Sequence, residues 1–150
     1  MLKYFLLSSF VFLLDQLTKV LIIKNFLDNQ FITINSYLYL VHFKNEGAAF
    51  SFLSDAGGWQ RYFLSIAALI ASIFIIFMIK KHKDEPYTAL GLSLILGGAL
   101  GNLYDRVSLG HVTDFIYFHF NDYYWPAFNV ADTGITVGAL IIIYESIIKK

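Results

Sequence analysis

The chain contains no cysteine, so disulfides, thiolate metal sites and a cysteine nucleophile are excluded together. Charge is scarce: only 15% of the 150 residues are charged, and 11 basic side chains balance 11 acidic ones. Zero net charge leaves no electrostatic case for a nucleic-acid partner. Also missing are a Gly-x-Ser-x-Gly elbow, a His-Glu-x-x-His helix and a Walker loop. The four histidines, His42, His82, His111 and His119, are scattered, which argues against a metal site. No repeat, low-complexity tract or domain linker interrupts the chain, so residues 1–150 read as a single integral membrane domain.

What the chain has in excess is apolar surface, with 57% hydrophobic and 18% aromatic residues. Residues 62–79 and 87–104 each run for 18 positions without a charge. At 1.5 Å per residue such a run spans about 27 Å, close to the roughly 30 Å hydrocarbon core. Residues 4–14 are equally apolar, but Asp15 and Lys19 interrupt their continuation to Ile23, and residues 133–144 run on through Glu145 to Ile148. Four crossings follow, the first and last carrying polar residues that face the protein interior. No small-residue cleavage site follows the first run, so it is expected to be retained. Lys3, the Lys80, Lys81 and Lys83 cluster, and Lys149 with Lys150 all fall on one side of a four-span layout. Short basic segments stay cytoplasmic, which puts both termini inside.

Residues 25–60 and 105–131 then lie outside, and both are rich in aromatic side chains suited to the interface. Residues 31–43 are dense in β-branched and aromatic residues and predict one or two short strands. Gly57-Gly58 signals a turn, and Asp84-Glu85-Pro86 a break between the second and third spans. The run from Gly97 to Gly101 and the Gly134/Gly138 spacing predict close packing of the third and fourth helices.

Ionisable groups at the edge of a lipid-soluble helix cost free energy unless something pairs or uses them. Asp105, Asp114 and Asp132 are therefore the residues to explain. Asp132, before Thr133, has the position of a helix cap. Asp105 beside Arg106 suggests an ion pair at a helix end. Asp15 and Lys19, four apart, have the spacing of an intrahelical pair. Asn45, Asn102 and Asn129 can satisfy backbone groups. Asp114 resists such explanations, since its only neighbouring cation is His111 when protonated. With other hydrolytic machinery eliminated, a carboxylate pair remains: two aspartates held close in a low-dielectric site cannot both ionise, and one can activate water.

The blocks Asp15-Gln-Leu-Thr-Lys19, Asn45-Glu-Gly-Ala-Ala-Phe-Ser51, Gly97-Gly-Ala-Leu-Gly-Asn-Leu-Tyr-Asp-Arg106, Val112-Thr-Asp-Phe-Ile116 and Phe128-Asn-Val-Ala-Asp132 together resemble the bacterial lipoprotein signal peptidases, or signal peptidase II. The resemblance runs nearly end to end, departing slightly at Thr113, where a second valine is common, and at Glu46. It implies an aspartic endopeptidase of the bacterial inner membrane, multi-pass and acting near the outer face without a cofactor or metal. The substrate implied is a diacylglyceryl-modified prolipoprotein, presented among membrane lipids and cut on the amino side of its lipidated cysteine. The fold implied is four transmembrane helices with a small extracytoplasmic β-sheet and an interfacial helix or loop. By position, the resemblance makes Asp114 and Asp132 the catalytic dyad. It has Asn45, Gly47, Ala48, Phe50, Asn102, Asp105, Arg106, Asn129 and Ala131 bind substrate or support the site, and Asp15 and Lys19 form a stabilising pair. Two other classes stay open on residues alone. One is an ion or proton carrier using membrane aspartates; the other is a serine-lysine peptidase based on Lys19, although Ser8 and Ser9 lie roughly 15 Å along the same helix.

Overall fold

In a computed structural model, residues 1–47 and 57–149 are described. The apolar runs become four helices: α1 (Leu2–Asn25), α2 (Trp59–Lys81), α3 (Pro86–Ser108) and α4 (Val130–Ile148). All four are long and apolar enough to cross a membrane. Helix α1 passes through Asp15 and Lys19 because both are buried, at 0% and 1% exposure. Its buried stripe, Tyr4, Ser8, Val11, Asp15, Lys19 and Ile22, repeats every three or four residues, while Leu6, Phe10, Leu13, Leu17 and Leu21 are exposed. The usual polarity of an amphipathic helix is inverted, as lipid on the outside requires. Pro86 occupies the first turn of α3, where its missing N–H costs nothing, and so divides α2 from α3.

Helix α3 is the hub and packs against α1, α2 and α4. Glycines let it do so. A Cβ built at Gly91 would lie 2.6 Å from the carbonyl oxygen of Gly138, and one at Gly98 would collide with the Ala131 carbonyl. Gly134 approaches the Leu94 carbonyl in the same seam. Gly97 instead faces α1, where an added Cβ would sit 2.6 Å from the Ser8 oxygen, so the glycine run serves two interfaces rather than one.

Outside the helices, β1 (Phe31–Asn35), β2 (Leu38–Asn45), β3 (Val112–Phe120) and β4 (Tyr123–Tyr124) form an antiparallel sheet in the order β1-β2-β3-β4. Residues 31–43, expected to form one or two strands, give β1 and the first part of β2, and the second outer segment completes the sheet. Pairing of Phe43 with Asp114 and of Asn45 with Val112 brings the two segments together beside the end of α3. Ala48 and Phe50 of the anticipated site lie outside the described residues.

Candidate active site

The path from β3 to α4 determines where the aspartates meet. After β4 the chain returns so that Phe128 bridges Ile116. The Phe128 carbonyl accepts from the N–H groups of both Phe115 and Ile116, while the Phe128 N–H donates to the Ile116 carbonyl. Asn129 is thereby delivered next to Asp114, one residue before α4 begins. Asn129 is the N-cap: its side-chain oxygen accepts from the Asp132 N–H at 2.9 Å, and the Asp132 carboxylate accepts from the Asn129 N–H at 3.3 Å. This reciprocal capping box corrects the expectation that Asp132 itself is the cap. Three positions into the helix, Asp132 closes the box and still presents a carboxylate to the cavity.

The Asn129 side-chain amide donates to Asp114 Oδ1 at 2.8 Å, so one residue touches both carboxylates, Asp114 through its side chain and Asp132 through its backbone N–H. Asn45 donates to Asp114 Oδ2 at 3.0 Å, and Asn102 donates to Asp132 Oδ1 at 2.8 Å. Asp114 is only 4% exposed. Burial, and then the neighbouring negative charge of Asp132, push its carboxyl up to about 7 from the ordinary 3.8. Half-buried Asp132 sits in the first turn of α4. Burial pushes His111 down, and the charges acting most strongly on it are Lys44, Asp105, Glu46 and His42.

Behind the dyad lies a buried ionic cluster. Lys19 Nζ is 2.8 Å from Asp15 Oδ2, 2.9 Å from Asp105 Oδ2 and 3.0 Å from Asn102 Oδ1. The intrahelical pair is present, but it is part of a triad with Asp105. The expected Asp105–Arg106 ion pair does not form. Consecutive helical side chains point about 100° apart, so Asp105 faces α1 while Arg106 turns to the outer segment. Arg106 donates to the Gly47 carbonyl at 2.9 Å and to the Asn102 carbonyl at 3.4 Å. Gly47 in turn donates its N–H to Asn45 Oδ1 at 2.9 Å, which helps hold the Asn45 amide on Asp114. Gln16, absent from the anticipated site, donates to Asp15 at 3.1 Å and Asp105 at 3.0 Å. Its only sequence signal was membership of the Asp15–Lys19 block.

A cavity of about 860 Å³ opens onto Asp114 and Asp132, with Asn45, Asn102 and Arg106 in its polar wall and Ala68, Ala99 and Ile135 in its apolar wall. Ala131 is fully buried, and its N–H donates to Asp15 Oδ1 at 2.8 Å, so it supports the site from behind. Ser8 donates to the carbonyls of Tyr4 and Ser93, and Ser9 to that of Phe5. Among the described residues no serine bonds to Lys19, which leaves the serine-lysine reading without a geometry. Also among the described residues, no group of three or more His, Cys, Asp or Glu side chains is placed to hold a metal ion.

Known proteins resemble the chain in both sequence and shape. The family model described as "Signal peptidase (SPase) II" matches residues 7–148. A lipoprotein signal peptidase of Ralstonia nicotianae is 49% identical over 135 residues, spanning 90% of this chain and 78% of that protein. One from Cellvibrio japonicus is 49% identical over 147 residues, spanning 97% and 86%. A solved bacterial membrane enzyme, determined by the in meso method at 2.3 Å resolution, superposes with a TM-score of 0.88 at 31% identity, covering 98% of this chain and 88% of that one. Four apolar helices and these neighbours make this a multi-pass membrane protein and a peptidase, and the chain belongs to the signal peptidase II family.

Proposed function

We propose that this protein is an aspartic endopeptidase that removes the signal peptide from diacylglyceryl-modified prolipoproteins, cutting on the amino side of the lipidated cysteine. The observation that carries this reading is the shared environment of Asp114 and Asp132, two carboxylates from different elements that Asn129 bridges and that open onto one cavity. Asp114, deeper and raised to about 7, holds the proton; Asp132, accepting from Asn102 and from its own helix cap, is the base. Asp132 takes a proton from water as the oxygen attacks the scissile carbonyl, and the Asp114 hydroxyl donates to the developing oxyanion. The proton then passes to the leaving amine, and the dyad returns to its singly protonated state.

The apolar wall formed by α2, α3 and α4 suits the signal peptide and acyl chains, while Asn45 and Arg106 face the peptide from the outer side. The lysine pattern supports a single membrane-embedded unit in the bacterial inner membrane, with both termini cytoplasmic and the dyad near the outer face. Purified protein incubated with diacylated and unlipidated prolipoprotein, with and without a chelator, tests the assignment. Cleavage of the diacylated form alone, unaffected by chelation and abolished by Asp114→Asn and by Asp132→Asn, is the expected result. Full processing by either variant removes that residue from the dyad.

A further inference from the structure

We infer that Lys19 is a positioning residue for the dyad: its buried ammonium orients Asn102 towards Asp132 and, through Asp15 and Asp105, ties together the three elements that carry the site. The inference rests on Asp114 and Asp132 being the reacting pair. An ammonium has three donors and no acceptor, and here all three are used, at 2.8, 2.9 and 3.0 Å on Asp15, Asp105 and Asn102. A primary amide has one accepting and one donating end. With Lys19 on Asn102 Oδ1, the Asn102 Nδ2 can only point away, and it meets Asp132 Oδ1 at 2.8 Å.

The carboxylates extend the same logic. Asp15 Oδ1 receives the Ala131 N–H at 2.8 Å, one residue before Asp132. Asp105 Oδ2 receives the Thr113 N–H at 3.2 Å, one residue before Asp114. Gln16 spans both carboxylates and reaches the Gly101 carbonyl at 3.2 Å. A helix-to-helix staple needs none of these outward bonds. Their consequence is that the backbone on which each aspartate sits is referenced to one charge, itself 1% exposed.

Lys19→Met alone leaves two carboxylates facing each other in a buried site, so its loss of activity could reflect unfolding. The deciding variant is Lys19→Met with Asp105→Asn, which removes one charge of each sign. In the full-length protein reconstituted in nanodiscs, with a diacylated prolipoprotein as substrate, the double variant still leaves buried Asp15 without its cation, so its activity is counted per folded molecule, the folded fraction being read from thermal melting. Its kcat should fall by about 10- to 100-fold, with KM within about threefold. Wild-type kcat per folded molecule in this variant overturns the inference. So does a fall in activity that only tracks the loss of folded protein. Asp132→Asn is assayed alongside: if it still cleaves, the dyad reading has failed, whereas an inactive Asp132→Asn beside a fully active double variant sinks the role of Lys19 alone.

Discussion

Asp114→Asn should cost the protein its activity yet stabilise it in alkaline solution. Asp114 is buried, and its carboxyl is displaced from 3.8 to about 7. At about 1.4 kcal/mol per pH unit, that displacement corresponds to roughly 4 kcal/mol favouring the neutral form in the folded state. A group raised in this way contributes its full stability below 3.8 and loses it as pH rises through about 7. An asparagine at this position never ionises, so the variant escapes that loss. It carries a separate cost. Both Asp114 oxygens accept from amides, Asn129 at 2.8 Å and Asn45 at 3.0 Å, and an introduced NH₂ faces one of these donors. Such a mismatch costs about 1–3 kcal/mol at any pH. The variant should therefore be less stable than wild type at about pH 4 and more stable at about pH 8, the difference between them moving by roughly 4 kcal/mol. For a chain of this size that is roughly 8–16 °C in relative melting temperature. Thermal unfolding of detergent-solubilised protein, followed by intrinsic tryptophan fluorescence across this range, measures it. A stability difference that stays flat with pH would refute the claim that the fold holds Asp114 neutral.

Four further outcomes follow from the same geometry. Peptidase activity should decline as pH rises through about 7, because the dyad needs one proton and Asp114 loses it there; a rate still rising above that value contradicts the proton assignment. Asn129→Ala removes the α4 cap and the bridge between the carboxylates, so kcat should fall by about 10- to 100-fold and stability by about 0.5–2 kcal/mol, read by single-turnover cleavage and thermal melting. Gly91→Ala drives a methyl to within 2.6 Å of the Gly138 carbonyl, far from the dyad; it should lower stability by about 1–3 kcal/mol while kcat of the folded protein is unchanged. Thr113→Val replaces a fully buried hydroxyl that has no hydrogen-bond partner among the described residues, and should raise stability by about 1 kcal/mol in a denaturant or thermal titration.

Much of the architecture was legible in the residues because lipid imposes one dominant rule. Uninterrupted apolar runs of membrane length become helices, and 62–79 and 87–104 both extended outward into α2 and α3. The β-branched and aromatic run at 31–43 became β1 and the first part of β2. Partnerships were less legible. Asp105 beside Arg106 reads as a pair along the chain, yet consecutive helical side chains diverge, and its partner is Lys19 on another helix. Asp132 reads as a cap, yet Asn129, three residues earlier, has the extended backbone a cap needs. Gly97 and Gly98 look equivalent but serve opposite faces of α3.

Sequence alone determined which segments cross the bilayer, which residues are too polar to face lipid, and, through ordered motif blocks, the family. These are properties of local composition and spacing, and solvent transfer energies decide them without reference to distant contacts. The meeting of Asp114 and Asp132 was decided only by tertiary structure. Eighteen positions separate them, and nothing local specifies that the chain must turn back so that Phe128 pairs with Ile116. That return depends on backbone hydrogen bonds satisfied across the sheet, on glycines that let α4 lie against α3, and on Asp15 receiving the Ala131 N–H from another helix. Each is a long-range contact whose energy exists only once the helices have packed.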